Sequence, residues 1–460
     1  MLVSDATTVP MYIRTLTTLF LLLSLASCER DFSAHPSDQS SLAWSADTIS
    51  FDTIPVGYVT PTLRIALYNQ SNEDYTIDNV SLTGAEASPF MVNVNGAETY
   101  ADNVRLRASD SLIVFVALKA NYINTGLATQ RLTDCLSARS GNKHWTVQLR
   151  AILQNRHVVS GALTTPTEWS QDSIPYLIAD SVVVEKGSSL TISNGAKVIF
   201  ANSAKLISRG NLTVVGSKSR PIVFCQQRSD SYYADIPGQW DGIYLCRGAK
   251  ATISNADIAC PTHALSVDSA AELVADGLLI RDVSKSGISA TDASLTLSNS
   301  IVINCGESAV SIHGGSLSLA HVTISNYYAW DYRHTPSVSV RHSADSDFNV
   351  SIVNSIVMGN LDDEVIVDSI VSGFSLISHS LLRTSKKDVV ASDTVHFLNC
   401  QVATDARFAN RQNRDLHLKQ SSPAYHTADA SLATLYPYDF EGSLRSLADS
   451  ISMGALQLSK

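Results

Sequence analysis

Six short, similar segments between Asn255 and Arg383 decide the fold of this chain of 460 residues. They read NADI (255–258), DGLLI (276–280), NSIVIN (299–304), HVTISN (321–326), NSIVMGN (354–360) and HSLL (379–382). Each segment opens with a polar residue and continues with aliphatic residues, and successive openers are 21, 23, 22, 33 and 25 residues apart. A period near 22 residues with one strand-like core per repeat is typical of a solenoid.

The segments predict β-strands because they are too short and too rich in β-branched residues for helices. The residues of turns, Gly, Ser, Asn and Asp, lie between them. Coils of a parallel β-helix stack about 4.8 Å apart and would bury one aliphatic side chain per coil in a continuous column. The predicted column consists of Ile258, Leu279, Ile301, Ile324, Ile356 and Leu381. A β-sandwich with chance spacing is the alternative.

The spacing of 33 residues indicates an insertion at one corner of the solenoid. It contains the run YYAWDYRH (327–334), whose aromatic rings should project from one face. Exposed rings on a rigid scaffold can stack on sugars, while charged groups bind hydroxyls or carboxylates. The predicted ligand-binding residues are Tyr327, Tyr328, Trp330, Tyr332 and Arg333, with a second patch at Tyr232, Tyr233 and Trp240. Alternatively, these rings cover the column or contact another domain.

One acidic run, DDE (362–364), offers a weak candidate for catalysis. If the run is a strand, Asp362 and Glu364 share a face, because alternate residues of a strand point the same way. Such a pair would suit a glycoside hydrolase, or would hold Ca²⁺ for a polysaccharide lyase. A solvated acidic corner is the alternative, and no metal site is otherwise predicted.

Polar residues recur at the corners between repeats. Asn299, Asn304, Asn326 and Asn354 stand in register, which predicts a structural ladder of side-chain hydrogen bonds. His321 occupies a position that other repeats fill with Asn or Asp, so it is predicted to make a corner hydrogen bond.

The N-terminus predicts export and lipidation. An apolar run from Leu16 to Ala26 is too short to span a bilayer permanently, and LASC (25–28) resembles a lipobox. Residues 1–27 are therefore a predicted lipoprotein signal peptide, and acylated Cys28 would anchor the chain in outer-membrane lipid. Residues 28–41 would form a flexible tether. An ordinary secretory signal beside a chance cysteine is the alternative.

The rest of the chain divides into three predicted parts. Residues 42–155 alternate apolar and polar side chains at period two, which is typical of an immunoglobulin-like β-sandwich. Residues 156–404 form the predicted β-helix, and residues 405–460 are a predicted cap for its open end. The net charge of −10, without a basic stripe, excludes nucleic acid as a partner.

Six cysteines remain beyond Cys28, and none has a metal-binding spacing. Buried reduced thiols are the simpler interpretation in stacked coils. A Cys225–Cys246 disulfide is the alternative, since an exported protein can form one.

Several stretches resemble one family of lipoproteins from the Bacteroides group. They are LAWSADTISFDT (42–53), YN (68–69), FMVNVNG (90–96), QWDGI (239–243), HGGS (313–316) and HVTISNY (321–327). Members combine an immunoglobulin-like domain with a right-handed parallel β-helix of the pectin lyase type, and the ending resembles that of choice-of-anchor Q domain proteins. Asp241 stands where the family usually has a second Gly. The resemblance implies architecture and an envelope location, but no activity, because the family is functionally uncharacterised.

These observations favour an all-β, lipid-anchored protein of the cell envelope, in the outer membrane and exposed at its surface. Acidic residues after Cys28, Glu29 and Asp31, resemble a surface-export signal. The leading hypothesis is a non-catalytic protein that binds a glycan or another surface macromolecule through a β-helix face and needs no cofactor. The alternatives are a polysaccharide lyase or glycoside hydrolase acting on acidic glycans, with Ca²⁺ as its cofactor, and a structural or adhesive module.

Overall fold

The computed structural model describes residues 42–56, 60–119, 127–170, 173–193, 195–228, 232–343, 348–368, 373–445 and 450–457. The chain splits into two compact units, Met1–Gln154 and Asn155–Lys460. Strands dominate both units, which confirms the prediction of an all-β chain. The predicted signal peptide, Cys28 and the predicted tether lie outside the described residues.

The described residues of the first unit form two five-stranded sheets. Its strands are β1 (Leu42–Trp44), β2 (Thr48–Pro55), β3 (Leu63–Asn69), β4 (Tyr75–Leu82), β5 (Phe90–Val94), β6 (Ala97–Glu98), β7 (Tyr100–Leu106), β8 (Ser111–Leu118), β9 (Thr129–Ser140) and β10 (Lys143–Gln154). The sheet orders are β1-β3-β8-β5-β6 and β2-β10-β9-β4-β7. A 3₁₀ turn, Ala85–Ala87, precedes β5.

The alternation of apolar and polar residues explains how these strands pack. In β8, Leu112, Val114 and Val116 are buried, and the residues between them face outward. Strands of both sheets contribute to one shared apolar core. A turn at Ser140-Gly141-Asn142 joins β9 to β10, and Gly141 has a φ of 56°, as a tight hairpin requires.

The second unit contains one sheet of 24 strands among its described residues. They are β11 (His157–Leu163), β12 (Thr167–Trp169), β13 (Tyr176–Val184), β14 (Ser189–Ser193), β15 (Lys197–Phe200), β16 (Lys205–Ser208), β17 (Asn211–Val215), β18 (Ile222–Gln226), β19 (Trp240–Leu245), β20 (Lys250–Ala259), β21 (Pro261–Val267), β22 (Glu272–Val283), β23 (Ile288–Ser298), β24 (Ile301–Cys305), β25 (Val310–Ala320), β26 (Thr323–Asn326), β27 (Val338–Arg341), β28 (Phe348–Val353), β29 (Ile356–Gly359), β30 (Val365–Val367), β31 (Gly373–Ser378), β32 (Leu381–Leu382), β33 (Phe397–Leu398) and β34 (Gln401–Val402).

Strands of this sheet pair in parallel with strands about one repeat later. Leu190 pairs with Leu212, Ala251 with Leu273, and Ile280 with Val302. The sequence period is therefore the pairing period of the sheet. The inward side chains form one continuous apolar core from Trp169 to Leu382.

The predicted column of aliphatic residues is wrong in register. Ile258 and Ile324 belong to the inner core, in a row that continues through Ile280, Val302, Val357 and Leu382. Ile301, Ile356 and Leu381 belong to a separate outer core on the opposite face, and Leu279 packs against it. Neighbouring residues of a strand face opposite sides, and both are apolar here because both faces are covered.

The C-terminal residues cover that outer face. They contain β35 (Phe408–Asn410), β36 (Asp415–Leu418) and the 3₁₀ turns Arg411–Asn413 and Ala430–Thr434. The helix α1 (Lys387–Ser392) is not part of this cover, because it lies beside Val365, Ile377 and Leu382 of the parallel array. Phe408, Leu416 and Met453 pack on the aliphatic side chains of β24, β29 and β32. Residues 405–445 and 450–457 thus lie along one side of the sheet, whereas the short strands β33 and β34 are the last of its parallel array.

Corner residues tie this C-terminal segment to the sheet. Asn354 bonds to it three times: its Nδ2 donates to Asp429 O, its Oδ1 accepts from Asp429 N, and its carbonyl accepts from Gly454 N at 2.7 Å. Gly454 has a φ of 90°, and a Cβ there would lie 2.6 Å from Thr323 Oγ1, so only glycine fits.

Corner side chains form hydrogen bonds, but the predicted ladder through Asn299, Asn304, Asn326 and Asn354 is wrong in register. Asn299 and Asn304 lie at opposite ends of β24 and bond to Asp276 and Asp282, not to each other. Asn255, Asn299, His321, Asn354 and His379 all have positive φ angles. Asn354 Nδ2 lies 3.2 Å from His321 Nε2, and Asn299 donates to Asp276 Oδ1 at 2.7 Å. The predicted corner bond of His321 is therefore present.

Candidate functional site

The aromatic insertion lies between β26 and β27, and its first two rings are packing residues. Tyr328 is 7% exposed and lies over Gly306, where an added Cβ would be 3.2 Å from its ring. Tyr327 is half-buried, with the Arg411 guanidinium 3.7 Å from its ring centre. Burial raises the pKa of both phenols. The prediction that these rings lie open for ligand binding is wrong for Tyr328, and only part of Tyr327 reaches solvent.

Two rings of the insertion remain open to solvent. Trp330 is 58% exposed and Tyr332 is 87% exposed. The Asp331 carboxylate between them accepts a hydrogen bond from Tyr332 N at 2.7 Å, which fixes the backbone at this point. The predicted aromatic platform is therefore reduced to Trp330 and Tyr332.

A buried ion pair anchors the insertion. The side chains of Arg333 and Glu364 are both fully buried, and Arg333 Nη2 donates to Glu364 Oε1. Arg333 also donates to Asn326 O at 3.1 Å and to Asn360 Oδ1 at 2.8 Å. Glu364 accepts from Leu361 N at 2.7 Å and from Ser337 Oγ at 2.6 Å.

This anchor overturns two site predictions. Arg333 was expected to contact a ligand and Glu364 to act in catalysis, but each is enclosed and holds the other. Gly359 packs against the pair so closely that a Cβ would lie 2.1 Å from Glu364 Oε1. The two residues therefore fix the shape of the insertion.

The predicted carboxylate pair is also not formed. The strand β30 begins at Val365, after the acidic run, so Asp362 and Glu364 are not alternate residues of a strand. Glu364 is buried, whereas the Asp362 side chain is 90% exposed. These two carboxylates do not face one site, and neither a Ca²⁺ pair nor an acid–base pair exists there.

An open cleft of about 600 Å³ lies beside Asp362, where β32 and β34 end. Three cationic side chains line it, Arg383, Lys387 and Arg407, together with the carboxylates of Asp362 and Asp405. Hydroxyl-bearing residues, among them Thr384, Ser385 and Ser421, complete the lining. We call this the basic cleft.

The anchor and the basic cleft share one segment. Glu364 N donates to Arg383 O at 2.9 Å. One residue earlier, Asp363 Oδ1 accepts from Thr384 Oγ1 at 2.7 Å and from Ser385 N at 2.9 Å. These bonds hold the pKa of Asp363 below its usual range. The segment that closes the buried anchor therefore also positions one wall of the cleft.

Sequence reasoning missed the basic cleft. Its cations come from separate stretches, at 383–387 and at 407, and the run Lys386-Lys387-Asp388 is typical of a solvated surface. A local concentration of basic residues between Arg383 and Arg414 was the available signal in an acidic chain.

Other predicted features have different positions from those expected. Trp240 is fully buried and stacks on Phe200 at 3.9 Å, so it belongs to the core and not to a second surface patch. Tyr233 packs under Arg228, and Tyr232 is 74% exposed. Cys225 and Cys246 are free thiols, so the alternative of a disulfide between them is wrong.

Within the described residues, no group of three or more His, Cys, Asp or Glu side chains is placed to hold a metal ion. Nor does that part of the chain contain a helix with the length and apolarity needed to cross a membrane.

Comparison with known proteins gives little. No family model and no curated protein matches the chain. The chain is similar to the crystal structure of the periplasmic chaperone SfaE at 10% identity and a TM-score of 0.18, over 26% of this chain and 60% of the chaperone. It is similar to a family 123 glycoside hydrolase from Clostridium perfringens, studied for glycolipid glycan hydrolysis, at 11% identity and a TM-score of 0.17, over 27% of this chain and 26% of that one. Each match spans less than two thirds of the other chain, and neither carries an argument about function.

Proposed function

We propose that this protein is a lipid-anchored protein of the cell envelope that binds a glycan through the exposed rings of its insertion. The observation that carries the proposal is the exposure of Trp330 and Tyr332 on a segment held by a fully buried ion pair. Rigid aromatic side chains offer a large contact area at low entropic cost. A surface that is already ordered in the free protein loses little conformational entropy when a ligand binds.

The proposal includes a finer view of the two units. The second unit is a right-handed parallel β-helix of the pectin lyase type, which is supported by parallel pairing at the sequence period and by a continuous inner core. The first unit is an immunoglobulin-like sandwich, which is supported by its two sheets around one core. The sequence resemblance to the Bacteroides-group lipoproteins supports the same combination.

The location rests on the sequence alone. The lipobox-like stretch before Cys28 supports acylation of that residue and anchoring in outer-membrane lipid. Mass spectrometry of the protein from membranes would test this, since the mature chain should begin at a lipid-modified Cys28. An unmodified chain that begins elsewhere would contradict the anchor.

A glycan array tests the binding proposal. Residues 29–460 are applied as wild type, Trp330→Ala and Tyr332→Ala, with Tyr100→Ala as the matched control, because Tyr100 is 55% exposed and lies in the first unit. We expect the wild type and the control to bind the same glycans. The two insertion variants should give signals at least tenfold weaker, because aromatic hot spots contribute about 2 kcal/mol or more to binding. Signals that survive both insertion substitutions would contradict the proposed surface.

A second candidate is a polysaccharide lyase or glycoside hydrolase. One observation favours it: Asp362 and Asp405 both line the basic cleft, together with Arg383 and Lys387. Incubation with acidic polysaccharides, with and without Ca²⁺, would release unsaturated or reducing ends if this candidate is correct. Release that is abolished by Asp405→Asn would replace the binding proposal, and no release would leave it standing.

A further inference from the structure

The basic cleft concentrates positive charge in a chain whose net charge is −10. Three cationic side chains and two carboxylates line this cleft of roughly 600 Å³. A concave site of this volume lies within the range of about 300–1,000 Å³ that small-ligand sites occupy. Its walls offer cations and hydroxyls, a combination that suits an anionic saccharide.

Backbone carbonyls orient the two arginines. Arg383 Nη1 donates to Thr404 O at 3.2 Å, and Arg407 Nη1 donates to Ser421 O. A guanidinium carries five N–H donors in a fixed plane, so each arginine keeps donors for a second acceptor. Planar donors of this kind match the paired oxygens of a carboxylate or a sulfate.

The carboxylates of the cleft differ in how firmly they are held. Asp405 Oδ1 accepts from Arg407 N at 2.9 Å, so it is part of a local turn. Asp362 Oδ1 lies 3.6 Å from Arg383 Nη2, beyond hydrogen-bond distance, and its side chain is 90% exposed. An exposed ion pair contributes little to stability, so a ligand anion can replace Asp362 at low cost.

We propose that the basic cleft binds the carboxylate or sulfate group of an anionic glycan on Arg383 and Arg407, and that Asp362 is a built-in competitor for Arg383. This inference rests on the proposed glycan-binding function and adds the class of ligand. Asp362 reduces the affinity for anions, and its removal strengthens binding. A catalytic Asp362 would behave in the opposite way.

The test uses residues 29–460 and three probes: an oligogalacturonate for carboxylate, chondroitin sulfate for sulfate, and neutral laminarin oligosaccharides. Calorimetric titrations compare the wild type with Asp362→Asn, Arg407→Gln and Trp330→Ala. The control is Arg247→Gln, because Arg247 is exposed and does not line the cleft. At least one anionic probe should bind. Asp362→Asn should tighten that binding about threefold or more, Arg407→Gln should weaken it about tenfold, and Arg247→Gln should leave it unchanged. Rising salt should weaken it as well.

The outcomes separate this inference from the proposed function. Binding of laminarin alone, lost in Trp330→Ala, would overturn the anionic class and support the aromatic surface. Anion binding that Asp362→Asn weakens would overturn the competitor role. If no probe binds and the glycan array is also silent, both proposals fail.

Discussion

Two ion pairs have their carboxylates within the same five residues, Asn360 to Glu364, and they differ in burial and in the number of hydrogen bonds. The Arg333–Glu364 pair is fully buried, and the carboxylate accepts further hydrogen bonds from Leu361 and Ser337. The Asp362–Arg383 pair spans 3.6 Å, and its carboxylate side chain is 90% exposed. The first pair holds the insertion in place, and the second lines an open cleft.

The contrast shows that one short segment contributes both to the stability of the fold and to an exposed surface. A buried charge is tolerated only when its partner and its hydrogen bonds are in place, so the Arg333–Glu364 pair fixes one geometry. An exposed carboxylate is screened by water and its ion pair contributes little, so it is free to exchange partners. Residue exposure, rather than residue type, therefore separates anchoring residues from accessible residues here.

The largest expected effect comes from breaking the buried pair. Glu364→Gln leaves the Arg333 guanidinium buried without a counter-charge, which should cost about 3–5 kcal/mol in the free energy of unfolding. Urea unfolding of the variant and the wild type measures this difference. A loss below about 0.5 kcal/mol, the size expected for a surface substitution, would remove the distinction between the two pairs.

A second buried polar group should make stability depend on pH. Burial, with a smaller contribution from Arg445, lowers the pKa of His321 to about 3. An unfolded histidine titrates near pH 6.5, so the unfolded chain binds more protons between these values and stability falls as the pH drops below about 6.5. The predicted loss between pH 7 and pH 5 is about 2 kcal/mol.

The control for this prediction is His321→Asn, which places at this corner the residue that other repeats use. Asn354, Tyr436 and Asp429 surround the ring and are retained in the variant. The difference in unfolding free energy between pH 7 and pH 5 should be about 2 kcal/mol smaller in the variant. Equal pH dependence in both proteins would contradict a buried, neutral His321.

The smallest expected effect on stability comes from the exposed pair. Asp362→Asn should change the free energy of unfolding by less than about 0.5 kcal/mol, because the Asp362 carboxylate is open to water. The same urea experiment measures it beside Glu364→Gln, two residues away. A loss comparable to that of Glu364→Gln would show that both pairs support the fold.

The strands of the second unit could be predicted from the sequence because each repeat packs against the neighbouring repeats of the same chain. A period near 22 residues, turn residues between segments and β-branched cores all describe local contacts or contacts one repeat away. The corner bond of His321 to Asn354 could be predicted for the same reason.

The face of each apolar residue could not be predicted from the sequence in the same way. Ile356 and Val357 are both apolar, yet one lies in the outer core and the other in the inner core. The outer core depends on residues far along the chain, such as Ala455, whose N–H donates to Thr323 Oγ1, 132 positions earlier. Contacts at such separations leave no periodic signal.

Candidate site residues were identified by type, and the structure separates them by burial. Tyr328, Arg333 and Glu364 have the chemistry of a binding or catalytic site, but packing in the folded chain encloses them, and Tyr327 is half-buried. Trp330, Tyr332 and Asp362 remain exposed. The run YYAWDYRH (327–334) contains both buried and exposed side chains, and the sequence alone does not distinguish them.

The most direct test of glycan binding by the insertion is a calorimetric titration of one glycan selected on the array. It is performed on the wild type and on the double variant Trp330→Ala/Tyr332→Ala, with urea unfolding of both. We expect the double variant to unfold within about 0.5 kcal/mol of the wild type and to bind at least about 30-fold more weakly. Unchanged affinity in a folded double variant would contradict binding through the exposed rings.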